Sequence, residues 1–218
     1  MVALNPLHTH LSYTHTMSAP VFETNLPPLA LFGRHMHTTP ATLFVADELF
    51  RAGDDYVVKD ANGAAILRAD AREWSRLEKK VVYDDELQLG EIRDALALHR
   101  TVEFVGGAGT PLKVEHRRSE VGGREAAFRV DLGKLTLAVV GDWKAHAVDI
   151  VSEDGGLVAR VTHDRATLHE GMYVTSQGKT KIGEAAETQY KVEVAPRVDL
   201  SLIGIVCICL DMLQQKVC

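Results

Sequence analysis

Residues 192–213, VEVAPRVDLSLIGIVCICLDML, join an alternating run to a long apolar run and decide the fold. Val192 and Val194 alternate with polar neighbours, as in a half-buried antiparallel strand. Pro196 ends that strand and Asp199 is a favourable N-cap residue, so the pattern predicts a helix over about residues 199–215. At about 100° per residue, its apolar side chains occupy every face of the helix. A helix without a polar face must be enclosed by the rest of the protein.

The chain from Thr42 onward consists of short β-rich runs separated by Gly, Asn and Asp, and no long helical pattern precedes residue 199. Eleven candidate strands cover residues 43–46, 56–59, 65–69, 80–83, 102–105, 112–115, 127–131, 135–140, 147–151, 157–162 and 189–194. We therefore predict a mainly β fold, a barrel or a sandwich, and a barrel with the helix threaded through it is the economical solution. Residues 84–99 fit a helix as well as a strand, so this segment stays open.

Length and composition fit one globular domain. The chain has 218 residues, of which 46% are hydrophobic and 25% charged, and its net charge is −6. This acidic balance argues against wrapping of nucleic acid, so no nucleic-acid partner is expected. We expect a monomeric domain over residues 18–215 after a flexible tail at residues 1–17.

The first 40 residues hold five of the ten histidines, but these lack partners at ligand spacing, so no metal site is predicted.

Cysteine usage and hydropathy give expectations about the compartment. The three cysteines, Cys207, Cys209 and Cys218, form an odd, clustered set that is not typical of a disulfide framework. We interpret Cys207 and Cys209 as small hydrophobic core residues. No signal-peptide pattern is present, so we expect a cytoplasmic location, with the nucleus or the periphery of a membrane as alternatives. The uncharged run at residues 200–210 would cover about 17 Å of a roughly 30 Å hydrocarbon core, so no transmembrane span is expected.

Two stretches repeat each other at an offset of 92 residues. Residues 57–68 align with residues 149–160, and each contains a tight-turn dipeptide, Asn62-Gly63 or Asp154-Gly155. Each stretch is predicted to be a β-hairpin, and the offset indicates two similar halves. Neither turn has the spaced carboxylates of a calcium loop, so both turns are interpreted as structural.

Three motifs resemble those of the LURP-one-related family, and the resemblance covers about residues 18–215. The C-terminal signature is VEVAPRVDLSLI at residues 192–203, running into VCICLD at residues 206–211, with the family's strand, Pro-x-Val-Asp turn and apolar helix ending in Leu-Asp. The other motifs are YVVKDANG at residues 56–63, and GDW at residues 141–143 followed by DGGLVA at residues 154–159.

The chain departs from the family pattern at two positions of one hairpin. Asp84-Asp85-Glu86-Leu87 lacks the glycine of the family turn, and Val102 stands where an aromatic residue is common. Both departures concern the register of that hairpin and not the fold.

The resemblance implies the tubby C-terminal-like superfamily, which also contains tubby proteins and phospholipid scramblases. It implies a closed β-barrel of about twelve strands around a central hydrophobic C-terminal helix, in agreement with the threading argument. Tubby domains bind phosphoinositides through surface Lys and Arg, scramblases are calcium-linked membrane proteins, and plant relatives are linked to pathogen defence. A fold shared by such different proteins does not fix one function.

A basic cluster is the best candidate ligand site. Its cations are Lys113, Arg117, Arg118, Arg124 and Arg129, and the carboxylates of Glu115, Glu120 and Glu125 lie among them. The run His116-Arg117-Arg118 could hold a phosphorylated head group on a hairpin loop through charge-assisted hydrogen bonds. The alternative is a solvated face with cross-strand ion pairs, which the interleaved carboxylates favour.

The sequence contains no convincing catalytic constellation, so neither an enzymatic activity nor a cofactor is predicted. Residues 106–111 resemble a phosphate loop but lack its Gly-Lys-Ser/Thr ending, and Pro111 argues against a helix after them. Ser176 lies in a predicted turn and not in a nucleophile elbow. No nucleophile accompanies the histidines that lie near carboxylates, which are His146, His163 and His169 near Asp149 and Asp164.

We therefore predict a non-enzymatic tubby-like domain that binds a phosphoinositide head group or a protein partner, with stress or defence signalling implied by the resemblance. The alternative is a scramblase-like protein in which residues 200–213 insert in the bilayer. The short apolar span and Asp211 argue against insertion.

Overall fold

A computed structural model gives the fold of this chain. It describes residues 20–22, 27–48, 55–71, 79–95, 101–106, 111–121, 123–163, 167–174, 180–187 and 189–217. It describes the backbone alone at residues 47, 48, 55, 163, 167–174, 180–187 and 215–217. The expected tail at residues 1–17 and Cys218 lie outside the described residues.

The described residues form fourteen strands and one helix. The strands are β1 (Ala41–Glu48), β2 (Asp55–Asp60), β3 (Ala65–Ala71), β4 (Lys79–Asp84), β5 (Leu87–Asp94), β6 (Thr101–Gly106), β7 (Leu112–Val121), β8 (Arg124–Asp131), β9 (Thr136–Asp142), β10 (Ala147–Ser152), β11 (Leu157–His163), β12 (Thr167–Val174), β13 (Thr180–Glu187) and β14 (Gln189–Val194). The helix, α1, is Leu200–Val217.

Twelve of these strands close into one barrel of antiparallel pairs. Strands β1 to β11 are neighbours in chain order, and β14 pairs with both β11 and β1 to close the ring. Strands β12 and β13 form a separate two-stranded sheet between β11 and β14 in the chain. The predicted barrel is therefore confirmed, and the sandwich alternative is wrong.

All eleven predicted strands are present, and the open segment at residues 84–99 contains β5, which pairs with β4 and β6. The sequence does not predict β12 and β13. Each of these two strands carries a glycine and a glutamate in its middle, Glu170-Gly171 and Gly183-Glu184, and such residues weaken a strand pattern.

The hairpin that departs from the family pattern closes without a glycine. Asp84 pairs with Leu87, and Asp85 adopts the left-handed conformation at φ 53°, which Asp tolerates better than most residues. Val102 is fully buried, and the aromatic ring in this part of the core belongs to Phe104. Gly90 makes room for that ring, because a Cβ at Gly90 would lie 2.7 Å from Phe104 Cζ.

The two repeated stretches are hairpins with the same backbone irregularity. In β2–β3 the pairing shifts between Val58 and Lys59, and in β10–β11 it shifts between Ile150 and Val151, 92 residues later. Gly63 and Gly155 take φ values of 82° and 88° in the two turns. Around the barrel, however, six strands separate the hairpins on one side and two on the other. The repeat is therefore one of hairpins and does not divide the barrel into equal halves.

Helix α1 runs through the interior of the barrel. Residues 200–210 are all buried, and the helix contacts β1, β3, β6 and β7. At Gly204 the helix approaches the wall so closely that a Cβ would lie 3.1 Å from Leu67 Cδ1 and 3.2 Å from the methyl carbons of Val58. The enclosure predicted from the sequence is confirmed. The alternative of a helix inserted in the bilayer disagrees with this arrangement, and the described part of the chain holds no helix of the length and apolarity that a membrane crossing requires.

Asp199 caps α1 and ties it to residues 28–37, which we call the N-terminal strap. Its Oδ1 accepts a hydrogen bond from the N–H of Ser201 at 3.0 Å. Its Oδ2 accepts from three strap N–H groups, those of Leu31 at 3.3 Å, Phe32 at 2.9 Å and Gly33 at 2.8 Å. Asp199 is fully buried, so four backbone donors satisfy a carboxylate that has no access to water. The sequence predicts the cap but not the strap.

At the opposite end of the barrel, Asp211 holds the last turns of α1 to the wall. Its carboxylate accepts hydrogen bonds from Trp143 Nε1–H at 2.9 Å and from the Tyr190 hydroxyl at 2.8 Å. Burial and the nearby Asp211 raise the pKa of Tyr190 well above its usual range, so its hydroxyl keeps the proton it donates. Burial also raises the pKa of the Cys207 and Cys209 thiols, which supports their interpretation as core residues.

We expect Asp199→Ala to lower the free energy of unfolding by about 2–4 kcal/mol, because four backbone N–H groups lose their acceptor in a buried position. Asp199→Asn keeps one acceptor oxygen and should lose less. Urea unfolding followed by tryptophan fluorescence measures both. The matched control is Asp60→Ala, since Asp60 also accepts backbone N–H groups, from Asn62 and Ala64, but in an exposed turn. Equal losses for Asp199→Ala and Asp60→Ala would contradict this account.

Candidate ligand-binding site

The predicted basic cluster lies on the hairpin formed by β7 and β8. Lys113 is paired with Asp131 at the barrel end where α1 begins, and Arg124 is paired with Val121 at the opposite end. Lys113 and Arg117 are four residues apart on one strand, which corresponds to about 13 Å at ~3.3 Å per residue. The structure therefore separates Lys113 from Arg117, Arg118 and Arg124, with which the sequence groups it.

A β-bulge sets Arg117 and Arg118 apart from the rest of the hairpin. His116 pairs with Phe128 and Ser119 with Ala126, so the two arginines stand opposite the single residue Ala127. The His116 ring packs edge-on against Phe128 in the core, at 5.3 Å between ring centroids, and fixes the strand next to the bulge. Both arginines are exposed. A bulge bends and twists its strand, which re-aims the side chains it carries.

The two bulge arginines have weak partners or none. Arg118 Nε lies 3.8 Å from Glu125 Oε1, and the two side chains are 80% and 74% exposed. An ion pair so exposed contributes little, because water and salt screen it. Arg117 has no ion-pair partner among the described residues. Their guanidinium groups are therefore available to an external anion.

Arg124, in contrast, is held by a half-buried carboxylate. Its Nη2 lies 2.9 Å from Asp149 Oδ2, and Arg160 Nε lies 2.7 Å from Asp149 Oδ1. Burial favours the neutral acid, but the hydrogen bonds from Arg160 and Arg124 outweigh it and lower the pKa of Asp149 below its ordinary value of 3.8. One carboxylate thus binds two arginines from different strands, so the Arg124 guanidinium group already has an ion-pair partner.

The remaining two cations of the cluster, Lys113 and Arg129, also have partners within the barrel. Lys113 and Arg93 share the half-buried Glu103, each with an N–O distance of 3.6 Å. Arg129 donates from Nη2 to Thr136 Oγ1 at 3.2 Å. For Lys113, Arg124 and Arg129, the alternative of a face with partnered cations therefore describes the structure better than a single ligand site.

Carboxylates surround the bulge arginines as well. Glu120 lies directly opposite Glu125 in the hairpin, and like charges in that position destabilise a strand pair. An anion bound at Arg118 would compete with Glu125 for the guanidinium group.

Of the residues considered for catalysis, the structure describes the side chains of His146 and Asp149. The His146 ring stacks on Tyr190 at 4.5 Å between centroids, and Asp149 is bound by its two arginines. The other candidates, namely Asp164, Ser176 and the side chains of His163 and His169, lie outside what the structure describes. The same holds for residues 107–110 of the phosphate-loop-like run. Among the described residues, no group of three or more His, Cys, Asp or Glu is arranged to hold a metal ion.

The sequence misses the link from Arg124 to Asp149, because their strands β8 and β10 are separated by β9 and meet only in the folded barrel. Asp149 and Arg160, in contrast, are cross-strand partners in the hairpin predicted over residues 149–160. The predicted hairpin was therefore a signal for the pair Asp149 and Arg160, but not for Arg124.

Comparison with known proteins identifies a family and a similar structure. The LURP-one-related family model matches residues 41–211. The chain is also similar to a protein from Arabidopsis thaliana whose X-ray structure is known, with a TM-score of 0.57 and 16% identity over 85% of this chain and 98% of that one. At this identity the likeness shows a common fold alone. No curated protein sequence matches this chain.

We expect Asp149→Asn to destabilise the protein at pH 7 but not in strong acid. Because the folded-state pKa of Asp149 is lowered, its ionised form stabilises the fold above pH 3.8, and this contribution is lost as the pH falls through the folded-state pKa. Urea unfolding of both proteins at decreasing pH should show the difference shrink below 3.8. Glu125→Gln is the control and should change stability little at any pH, because both its ion pair with Arg118 and its repulsion of Glu120 are exposed and screened by water and salt. A difference that stays constant with pH would argue against the charge as its cause.

Proposed function

This chain belongs to the LURP-one-related family, and on that premise we propose that it is a non-enzymatic, tubby-like binding module. Its ligand is a phosphorylated head group, such as that of a phosphoinositide, and Arg117 and Arg118 bind it. The observation that carries the proposal is the bulge between His116 and Ser119, which presents two exposed arginines without a buried carboxylate partner.

The chemistry of the two side chains suits a phosphate. A guanidinium group is planar, always charged, and offers parallel N–H donors that match two phosphate oxygens. Two consecutive arginines on an irregular backbone can approach one phosphate from different directions, which a regular strand with alternating side chains does not allow.

The net charge of the protein makes local recognition necessary. At −6 the chain as a whole is repelled by an anionic membrane. At physiological salt the Debye length is about 8 Å, so acidic groups farther from the bulge than this are largely screened and the nearest charges dominate. Binding through Arg117 and Arg118 is therefore expected to depend on the head group and on salt.

A cytoplasmic protein that attaches reversibly to a membrane surface fits this mode of binding. We propose that the chain acts as a monomer and without a cofactor, and that attachment through the bulge serves signalling, which the family resemblance connects with stress or defence. Binding of a protein partner through the same arginines is the competing proposal.

Flotation of the purified protein with liposomes tests the head-group proposal. We expect flotation with phosphoinositide-containing vesicles at low salt, weaker flotation at physiological salt, and none with neutral vesicles. Arg117→Gln/Arg118→Gln should weaken binding by roughly tenfold to thirtyfold, at about 1 kcal/mol for each charge near an anionic surface. Glu125→Gln should strengthen it, because Arg118 loses its competing carboxylate.

The matched control is Arg68→Gln/Arg93→Gln, which also removes two exposed arginines but from other strands. It should leave head-group-dependent flotation in place. Equal flotation of the bulge variant and the wild type would contradict the proposed site, and no flotation at all would favour a protein partner. Flotation that resists salt and ignores the head group would instead favour insertion of α1.

A further inference from the structure

A leucine-lined pocket opens at the barrel end where α1 begins, away from the bulge arginines. It encloses about 340 Å³ between the N-terminal strap, the turn that joins β8 to β9, and the first turn of α1. Leu112 and Leu202 form a buried floor, whereas Leu31, Leu132 and Leu135 are half-buried and form the rim. A pocket of this size with apolar walls is typical of a small-molecule site.

Several backbone groups around the pocket already have hydrogen-bond partners. Leu29 donates its N–H to Arg197 O at 3.0 Å and accepts the N–H of Asp199 at 2.8 Å. The Leu31 N–H is bound by Asp199 Oδ2, and Leu132 donates to Leu135 O at 2.8 Å. With these groups paired, the leucine side chains make hydrocarbon the larger part of the pocket wall, which favours a ligand with an apolar chain.

One charged group completes the lining. Lys134 lies in the turn between Leu132 and Leu135, is exposed, and has no ion-pair partner among the described residues. Its ammonium group can remain in water while its stem lies along the apolar rim. The pocket thus combines an apolar interior with a single cation at its mouth.

We propose that this pocket binds a single-chain anionic amphiphile, with the apolar chain among the leucines and the anionic head at Lys134. At about 30 Å³ for each water-sized group, the volume holds a chain of about ten carbons. This site is separate from the proposed head-group site, so it goes beyond the proposed function and does not depend on it. The chain could come from a free fatty acid or from a membrane lipid, since both offer the same chemistry.

Calorimetric titration of the full chain with decanoate, below its micelle concentration and without vesicles, tests the pocket. We expect saturable binding at one site. Across a series from hexanoate to dodecanoate, affinity should rise by up to about fourfold for each methylene and level off near ten carbons, when the pocket is full. Binding without such a limit would indicate nonspecific adsorption and overturn the proposal.

Two variants separate the contributions of the chain and the head. Lys134→Gln should weaken decanoate binding by roughly threefold to tenfold but leave binding of the uncharged decanol unchanged. Ala30→Trp, on the exposed strap side of the pocket, should fill the space and weaken both ligands by at least about tenfold. Lys144→Gln removes an exposed lysine from the turn between β9 and β10 and is the control for charge.

Unchanged decanoate binding by both Lys134→Gln and Ala30→Trp would overturn the proposal, as would no binding by the wild type. Because the titration contains no vesicles, its failure is distinguishable from failure of the head-group site. Liposome flotation of Ala30→Trp then identifies the source of the chain. Unchanged flotation would indicate a free amphiphile, whereas weakened flotation would indicate an acyl chain of the membrane lipid.

Discussion

The absence of a polar face on α1 is the constraint on which the rest of this protein depends. A barrel of twelve strands is too wide to be filled by its own inward side chains, as smaller barrels are. A helix that is apolar all round cannot be left in water. The two elements therefore depend on each other. The apolar side chains of the helix fill the interior of the barrel, and the closed ring of strands shields those side chains from water. Gly204 shows how closely they fit, since its backbone leaves no room for a relaxed Cβ beside Val58 and Leu67.

Asp199, just before the first turn of α1, and Asp211, in the second half of the helix, fix its position along the barrel. Asp199 takes its hydrogen bonds from backbone groups of the strap and of the helix itself. Asp211 takes its bonds from the side chains of Trp143 and Tyr190 on the barrel wall. Apolar contacts alone would let the helix slide or rotate, because dispersion and hydrophobic forces have little directional preference. The hydrogen bonds of the two carboxylates are directional, so they fix the translation and rotation of the helix that apolar packing leaves free.

The sequence predicted what local patterns encode. Pro196, Asp199 and the apolar run that follows predicted the helix and its enclosure, and short β-rich runs between Gly, Asn and Asp predicted eleven of the strands. The strap could not be predicted, because its contacts with Asp199 join residues 166 to 168 positions apart. The segment with β5 stayed open because its leucines fit two periodicities at once, and only the neighbouring strands decide between them.

The sequence predicted the candidate site as a list of cations, and the structure shows which of these cations already have partners. Nearness along the chain suggested that Lys113 and Arg124 belong with Arg117 and Arg118, but an extended strand spreads its residues over a long distance. Carboxylates on other strands bind both cations, since Lys113 pairs with Glu103 of the neighbouring strand and Arg124 with Asp149, 25 residues later in the chain. The bulge that leaves Arg117 and Arg118 exposed has no signature in their side chains, because it depends on how β8 pairs.

The position of α1 after all the barrel strands has a consequence for synthesis on the ribosome. From β1 to the end of α1 the chain adds about 175 residues, which takes roughly 10 to 35 s at ~5–20 residues per second. During that time the strands have emerged but lack the helix that forms their core, and unpaired strand edges are prone to aggregation. Until α1 is released, the nascent strands lack the residues that form their core, so this is the interval in which the chain is most prone to aggregate.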